Sequence, residues 1–206
     1  MSTLILSFVI GYSLGSIPMA FLLVRRARGV DIRDAGSGNV GALNSFLVTR
    51  SALLGIGVLV FDVLKGALAV IIPEFLLGRE FPTAFAGCIG AILGHNFSPW
   101  LRGKGGRGLA TAAGALVPIA PIVVPLWILF WGLGYLIVRE VNVGSAIACC
   151  LTLLTVMLLP DDVRNRITTV EATKSAFDIF FSIVIMVILL KLVRPISEYF
   201  NTQRRL

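Results

Sequence analysis

The chain has 206 residues, of which 57% are apolar and only 14% charged, with a mean hydropathy of +0.93 and a net charge of +7. Soluble domains carry roughly a quarter charged residues, so this composition excludes an ordinary soluble protein and leaves one integral membrane domain over residues 1–206. The basic excess does not mark a nucleic-acid partner. The Lys and Arg residues sit in short connectors between apolar blocks, where they orient a chain in the bilayer and meet the headgroups of membrane lipids.

The first apolar block, residues 3–24, has no basic residue ahead of it and no small-residue cleavage site, so it reads as a membrane span rather than a removable signal. The connector after it runs Asp31-Ile32-Arg33-Asp34-Ala35-Gly36-Ser37-Gly38-Asn39-Val40-Gly41-Ala42-Leu43-Asn44, with Arg50 beyond. Glycines let backbone N–H groups turn toward an anion, and Ser37, Asn39 and Asn44 add neutral donors. A plain tight turn is the structural alternative. The second block, 51–72, carries Asp62 and Lys65 three residues apart and hence on one helix face. Ionisable residues inside a span are candidates for function, and a bridge that fixes helix packing is the other reading of this pair.

The third block, 83–100, ends Gly94-His95-Asn96-Phe97-Ser98-Pro99-Trp100 and holds the single histidine of the chain. A lone His at a span end is more often a hydrogen-bonded structural residue than a catalyst. The loop Gly103-Lys104-Gly105-Gly106-Arg107-Gly108 follows and leads straight into an apolar segment. A glycine-rich turn at a helix start offers unpaired amides and the positive end of the helix dipole, and Lys104 and Arg107 add full charges. The physics is that of a phosphate loop, although the spacing of a nucleotide P-loop is absent.

Residues 109–138 would make a helix about 45 Å long, too long for a hydrocarbon core of about 30 Å. Pro118, Pro121 and Pro125 break it, so we divide it near Ala120. The remaining spans are 143–159 and 176–193, joined by a solvated connector, 160–175, with room for a short interfacial helix. Arg139, Asn142 and Ser145 fall on the same face of the membrane as the two polar loops. The fold expected is an all-α polytopic bundle of seven transmembrane helices. Charge supports the division: it places 13 basic residues, among them Arg204 and Arg205, on the inner side and 4 on the outer, against 11 and 6 for an undivided block. Cys88, Cys149 and Cys150 lie in apolar blocks as an odd set without ligand spacing, so neither a disulfide framework, a metal nor a cofactor is expected.

Gly15-Ser16-Ile17-Pro18, the 36–44 run, Asp62-x-x-Lys65-Gly66, and 94–100 followed by 103–111 resemble, in order and separation, the bacterial acylphosphate:glycerol-3-phosphate acyltransferases, the PlsY family. The likeness covers most of residues 10–150. It implies a seven-helix enzyme of the bacterial inner (plasma) membrane, with its site facing the cytoplasm. The enzyme would move a fatty acyl group from acyl phosphate to glycerol 3-phosphate and release lysophosphatidic acid and phosphate, the first step of phospholipid synthesis. By motif position the resemblance makes Ser37 and Arg50 the essential serine and arginine, and the second-loop glycines Gly105, Gly106 and Gly108 with Lys104 the glycerol-phosphate loop. With the reading of the residues above, catalysis is expected of Ser37, Asn39 and Arg50, and substrate binding of Gly38, Lys104, Gly105, Gly106, Gly108, His95 and Asn142.

The chain departs from the family pattern in places. Its last helix ends Lys191-Leu192-Val193-Arg194-Pro195-Ile196-Ser197-Glu198, without the His and Asn of the family's third motif. Leu43 replaces a usual Thr, and Asn142 stands where Ser is common. A relative that binds glycerol phosphate or a phosphorylated lipid with little or no turnover is therefore the competing reading. An anion transporter fits less well, because the polar loops gather on one side instead of meeting at midplane.

Overall fold

The structure is a computed structural model that describes residues 1–204, so Arg205, counted among the inner basic residues, lies outside the described residues. Among the described residues every regular element is a helix, α or 3-10, and the chain divides into two compact units, Met1–Pro118 and a second that begins at Ile119.

In the first unit the leading apolar block forms two helices, α1 (Ser2–Ser16) and α2 (Met19–Arg28), rather than one. Pro18 causes the break: it has no N–H to give, and it holds Ile17 in an extended conformation (ψ 116°). α2 ends on Gly29 in the left-handed region (φ 71°). A 3-10 turn, Ile32–Asp34, opens the first polar loop, and a helix absent from the sequence expectation, α3 (Ala42–Thr49), closes it. Asn44, Ser45 and Thr49 are its buried face, and the Ser45 and Thr49 hydroxyls donate to the Gly41 and Ser45 carbonyls.

α4 (Ala52–Leu77) is the longest helix of this unit, with the Ser51 hydroxyl accepting from the Leu54 amide at its start. α5 (Phe81–Asn96) follows, then a 3-10 turn, Pro99–Leu101, then α6 (Leu109–Leu116). At about 1.5 Å per residue, α6 spans under half of a hydrocarbon core. It stops well before the next helix begins at Val123, consistent with the division placed near Ala120.

Small residues let these helices pack backbone to backbone, as membrane helices do where no hydrophobic effect drives them together. A Cβ on Gly11 or Gly15 of α1 would collide with the backbone of Gly87 or Ala91 on α5. Likewise a Cβ on Gly66 of α4 would meet Thr111 of α6, and one on Gly114 of α6 would meet Val63 of α4. Leu53 (82% exposed), Ile56, Leu64 and Leu68 stay uncovered on the opposite side of α4, the composition of a lipid-facing surface.

In the second unit α7 (Val123–Val138) and α8 (Val141–Leu158) form a hairpin. It turns through Arg139 in the left-handed region (φ 57°), and Glu140 caps the Val143 amide. Gly134 and Gly144 face one another across the hairpin, and Trp127 donates to Cys149 Sγ at 3.4 Å. The connector for which a short helix was considered does form one, α9 (Asp161–Ile167). It is held by buried Arg164, which pairs with Asp161 and donates to the Leu159 carbonyl. α10 (Lys174–Gln203) packs on α8, burying Phe177, Phe180, Phe181, Val184, Ile188 and Leu192 at helical spacing. Among the described residues four spans are long and apolar enough to cross a bilayer, namely α1 with α2, α4, α8 and α10, and α7 is a shorter apolar helix. With α5 and α6, the seven expected segments all appear as helix, with the fourth much shortened.

Candidate active site

The two polar loops of the first unit meet. Gly106 lies so close to the Val40 carbonyl and to His95 Nε2 that a Cβ there would collide with both. The 36–44 run and the glycine loop thus touch through Val40 and Gly106, with the histidine ring behind them. A second link runs along the outside. Arg33 Nη1 donates to the Leu101 carbonyl at 3.2 Å, the same oxygen that accepts the Lys104 amide at 3.1 Å. Asp31 aligns that guanidinium, accepting from Arg33 Nε at 2.9 Å, while the Phe21 ring lies 5.5 Å from it. Its bond to Arg33 holds the Asp31 carboxyl well below the usual carboxylate range, at about 2.

Within the first loop Ser37 is exposed, and its amide donates to Asn44 Oδ1 at 2.9 Å. Gly36 (φ 60°) and Gly38 (φ 69°) supply the left-handed backbone on either side of it. Asn39 gives its carbonyl to Asn44 Nδ2. Arg50 is exposed and caps α3 with a left-handed backbone (φ 56°), a conformation uncommon for a side-chain-bearing residue and one that recurs at functional positions. The Thr49 carbonyl just before it accepts from Arg28.

In the second loop Lys104 is exposed beside the glycines. The Gly105 and Gly106 amides donate to the Asn96 and His95 carbonyls, each at 3.2 Å. These two glycines therefore serve close packing, and the amides placed to meet an anion are those at the start of α6, after Gly108 in the left-handed region (φ 83°). Beneath Gly108, both polar atoms of the Asn96 side chain are buried without a partner.

Behind the loops lies a buried polar cluster. Asp62 Oδ1 pairs with Lys65 Nζ at 2.7 Å and lies 3.6 Å from His95 Nδ1, which is 3.1 Å from Thr111 Oγ1. Lys65 also donates to the Ile17 carbonyl at 3.0 Å, at the break between α1 and α2. Asp62, Lys65 and His95 line a small space of about 10 Å³ together with Ser98, Leu101 and Gly106, roughly the room of one water. His95, 8% exposed, is built into the wall of the site rather than projecting from it. Asn142 belongs to the second unit, where its amide donates to Glu140 Oε1 at 2.6 Å. Arg33 was not singled out by sequence, and Asn44 was read as a neutral donor to an anion rather than as the group that holds the loop together. Their role depends on the fold of the loop, and the one available signal was polar side chains flanking a glycine-rich run.

The glycerol-3-phosphate acyltransferase family matches residues 5–202. The chain belongs to that family. It is 42% identical over 144 residues to glycerol-3-phosphate acyltransferase 2 of Moorella thermoacetica, covering 70% of this chain and 73% of that one. It is 41% identical over 168 residues to glycerol-3-phosphate acyltransferase 1 of Deinococcus radiodurans, covering 80% and 81%. Alignments with five further relatives of the same name span 47–62% of those chains. The fold is also that of PlsY (YgiH), an integral membrane glycerol 3-phosphate acyltransferase with crystal structures of a glycerol 3-phosphate form and a lysophosphatidic acid form. The TM-score is 0.78 and the identity 25% over 98% of this chain, covering 94% and 93% of the two PlsY chains. Membership makes this an integral membrane protein of the acyltransferase class, as the apolar helices require.

Proposed function

We propose that this chain transfers a fatty acyl group from acyl phosphate to the first hydroxyl of glycerol 3-phosphate, at the cytoplasmic face of the bacterial inner membrane. The observation that carries this reading is the contact between the two polar loops at Val40 and Gly106, which gathers the Ser37 loop and the Lys104 loop into one basic, glycine-rich site. The glycerol 3-phosphate and lysophosphatidic acid forms of the similar PlsY supply the acceptor and product. The excess of basic residues expected on one side supports the cytoplasmic orientation.

Acyl phosphate is a mixed anhydride, so its carbonyl is already activated and the protein has chiefly to position two phosphates and balance their charge. The acceptor hydroxyl attacks the acyl carbonyl carbon. The bond from that carbon to the bridging oxygen breaks, its electron pair leaves with phosphate, and the hydroxyl proton passes to a phosphate oxygen. Lys104, Arg50 and the first amides of α6 hold phosphate, while Ser37 and Asn39 orient the reacting groups. His95 backs the glycine loop, a role that fits its burial better than proton transfer. Purified protein offered acyl phosphate, acyl-CoA and acyl carrier protein in parallel tests the donor. Transfer from acyl phosphate alone supports the reading, and equal or better transfer from acyl-CoA removes it.

A second reading, binding without turnover, draws on one observation. The single histidine is committed to the Asp62 and Thr111 cluster, and α10 carries none. It requires glycerol 3-phosphate binding with no acyl transfer from any donor.

A further inference from the structure

The Asn44 side chain is 1% exposed and lies inside the first polar loop. Its oxygen accepts the Ser37 amide at 2.9 Å, and its nitrogen faces three carbonyls, those of Ala35 and Asn39 at 3.0 Å and Ile32 at 3.3 Å. A primary amide is the one neutral side-chain group of this size that accepts on one side and donates twice on the other. A carboxylate would turn an acceptor toward three acceptors, and an alkyl group would take the acceptor from the Ser37 amide and a second donor from three carbonyls that otherwise keep one backbone bond each. Gly36 closes over the same oxygen, so that a Cβ there would strike it, and the left-handed φ of 60° independently favours glycine.

Asn44 is anchored on α3, whose first turn is held by the Ser45 hydroxyl bond to the Gly41 carbonyl. The loop is thus moulded around a rigid helical side chain. The direction in which Ser37 leaves the loop follows from the bond its own amide makes.

We infer that Asn44 is a positioning residue for Ser37: it sets the loop from the inside so that the serine hydroxyl meets substrate in one orientation. This rests on the acyl-transfer reading for Ser37. A misplacement of about 1 Å at a reacting group can cost about 100-fold in rate, so losing the amide should lower kcat by that order while KM for glycerol 3-phosphate moves little.

The test is a double-mutant cycle in purified, detergent-solubilised protein, with thermal stability measured alongside. Asn44→Ala and Ser37→Ala are combined. Gly36→Ala provides an independent disturbance of the same amide from its other side, should Asn44→Ala not fold. We expect each loop variant to lower kcat and to add almost nothing in the Ser37→Ala background. Full additivity, or a wild-type kcat in a folded Asn44→Ala protein, overturns the inference.

A readout independent of activity separates this from failure of the acyl-transfer reading. In a background without Cys88, Cys149 and Cys150, the thiosulfonate labelling rate of Ser37→Cys should change when Asn44→Ala is added, while that of Arg102→Cys should not. An unchanged rate at position 37 overturns the positioning role even if the protein transfers no acyl group.

Discussion

Lys65 Nζ donates to the Ile17 carbonyl at 3.0 Å while pairing with Asp62 at 2.7 Å, so one buried ammonium serves both a helix break and a carboxylate. α1 ends at Ser16 because Pro18 cannot continue it, and the C-terminal carbonyls of a helix carry its negative end. A cation there is stabilising, and Asp62 keeps it from being an isolated charge in an apolar bundle. Removing one member of a buried pair leaves the other uncompensated, at a cost of about 3–5 kcal/mol. Lys65→Met should therefore lower the Tm in detergent markedly, and Asp62→Asn with Lys65→Met should lower it less. A wild-type Tm for Lys65→Met would mean that the pair is not structural.

Lys104 and Arg102 separate phosphate binding from general charge. Lys104→Ala should weaken glycerol 3-phosphate binding by about 10- to 150-fold, the worth of a charge-assisted hydrogen bond of about 1.5–3 kcal/mol. Arg102 is exposed two residues earlier, and an exposed charge contributes little, so Arg102→Ala should change binding far less. Equal losses at both positions would assign the effect to membrane electrostatics.

The tether from Arg33 to Leu101 predicts that the two loops move together. Arg33→Ala removes the donor to the oxygen that also receives the Lys104 amide, so KM for glycerol 3-phosphate should rise although Arg33 is not assigned to substrate binding. An unchanged KM would show that contact at Val40 and Gly106 suffices. The Asp31 carboxyl sits below its ordinary value of 3.8, at about 2, because Arg33 binds the ionised form. Its stabilisation is therefore fully present above 3.8 and is lost as pH falls through about 2. Thermal melts of wild type and Asp31→Asn should differ by a constant amount above pH 4 and converge below it. A gap that keeps its full size at pH 2 would assign the effect to something other than this ionisation.

Topology follows from the length of α4, whose 26 residues suffice to cross a bilayer. Single cysteines at Ser37 and Lys104 should label from the cytoplasmic side and one at Arg79, beyond the far end of α4, from the periplasmic side. Periplasmic labelling at position 37 would reverse the orientation.

Much of the fold was legible because a bilayer demands long apolar runs, and the runs at 51–72, 143–159 and 176–193 are helical as expected. α3 was not legible, since its buried face is polar and hydropathy reads polarity as loop. The break at Pro18 was visible as a residue but was absorbed into an apolar block. Within the site, glycines and basic residues pointed to the two loops, and their contact through Val40 and Gly106 is a fact of three dimensions. The Gly105 and Gly106 amides looked available for an anion, and only the Asn96 and His95 carbonyls that accept them show otherwise. Asn44 hid in plain view: an asparagine in a glycine-rich run signals a turn, and nothing in its spacing says that it binds four backbone groups.

Acyl transfer from acyl phosphate to glycerol 3-phosphate releases one phosphate for each lysophosphatidic acid formed. The most direct measurement follows lysophosphatidic acid and inorganic phosphate together, from purified wild-type protein and from Ser37→Ala, with acyl phosphate and glycerol 3-phosphate as the only substrates. Both products should appear in equal amounts with wild type and fall greatly with Ser37→Ala. Glycerol 3-phosphate binding without lysophosphatidic acid, or phosphate release without acyl transfer, would contradict this.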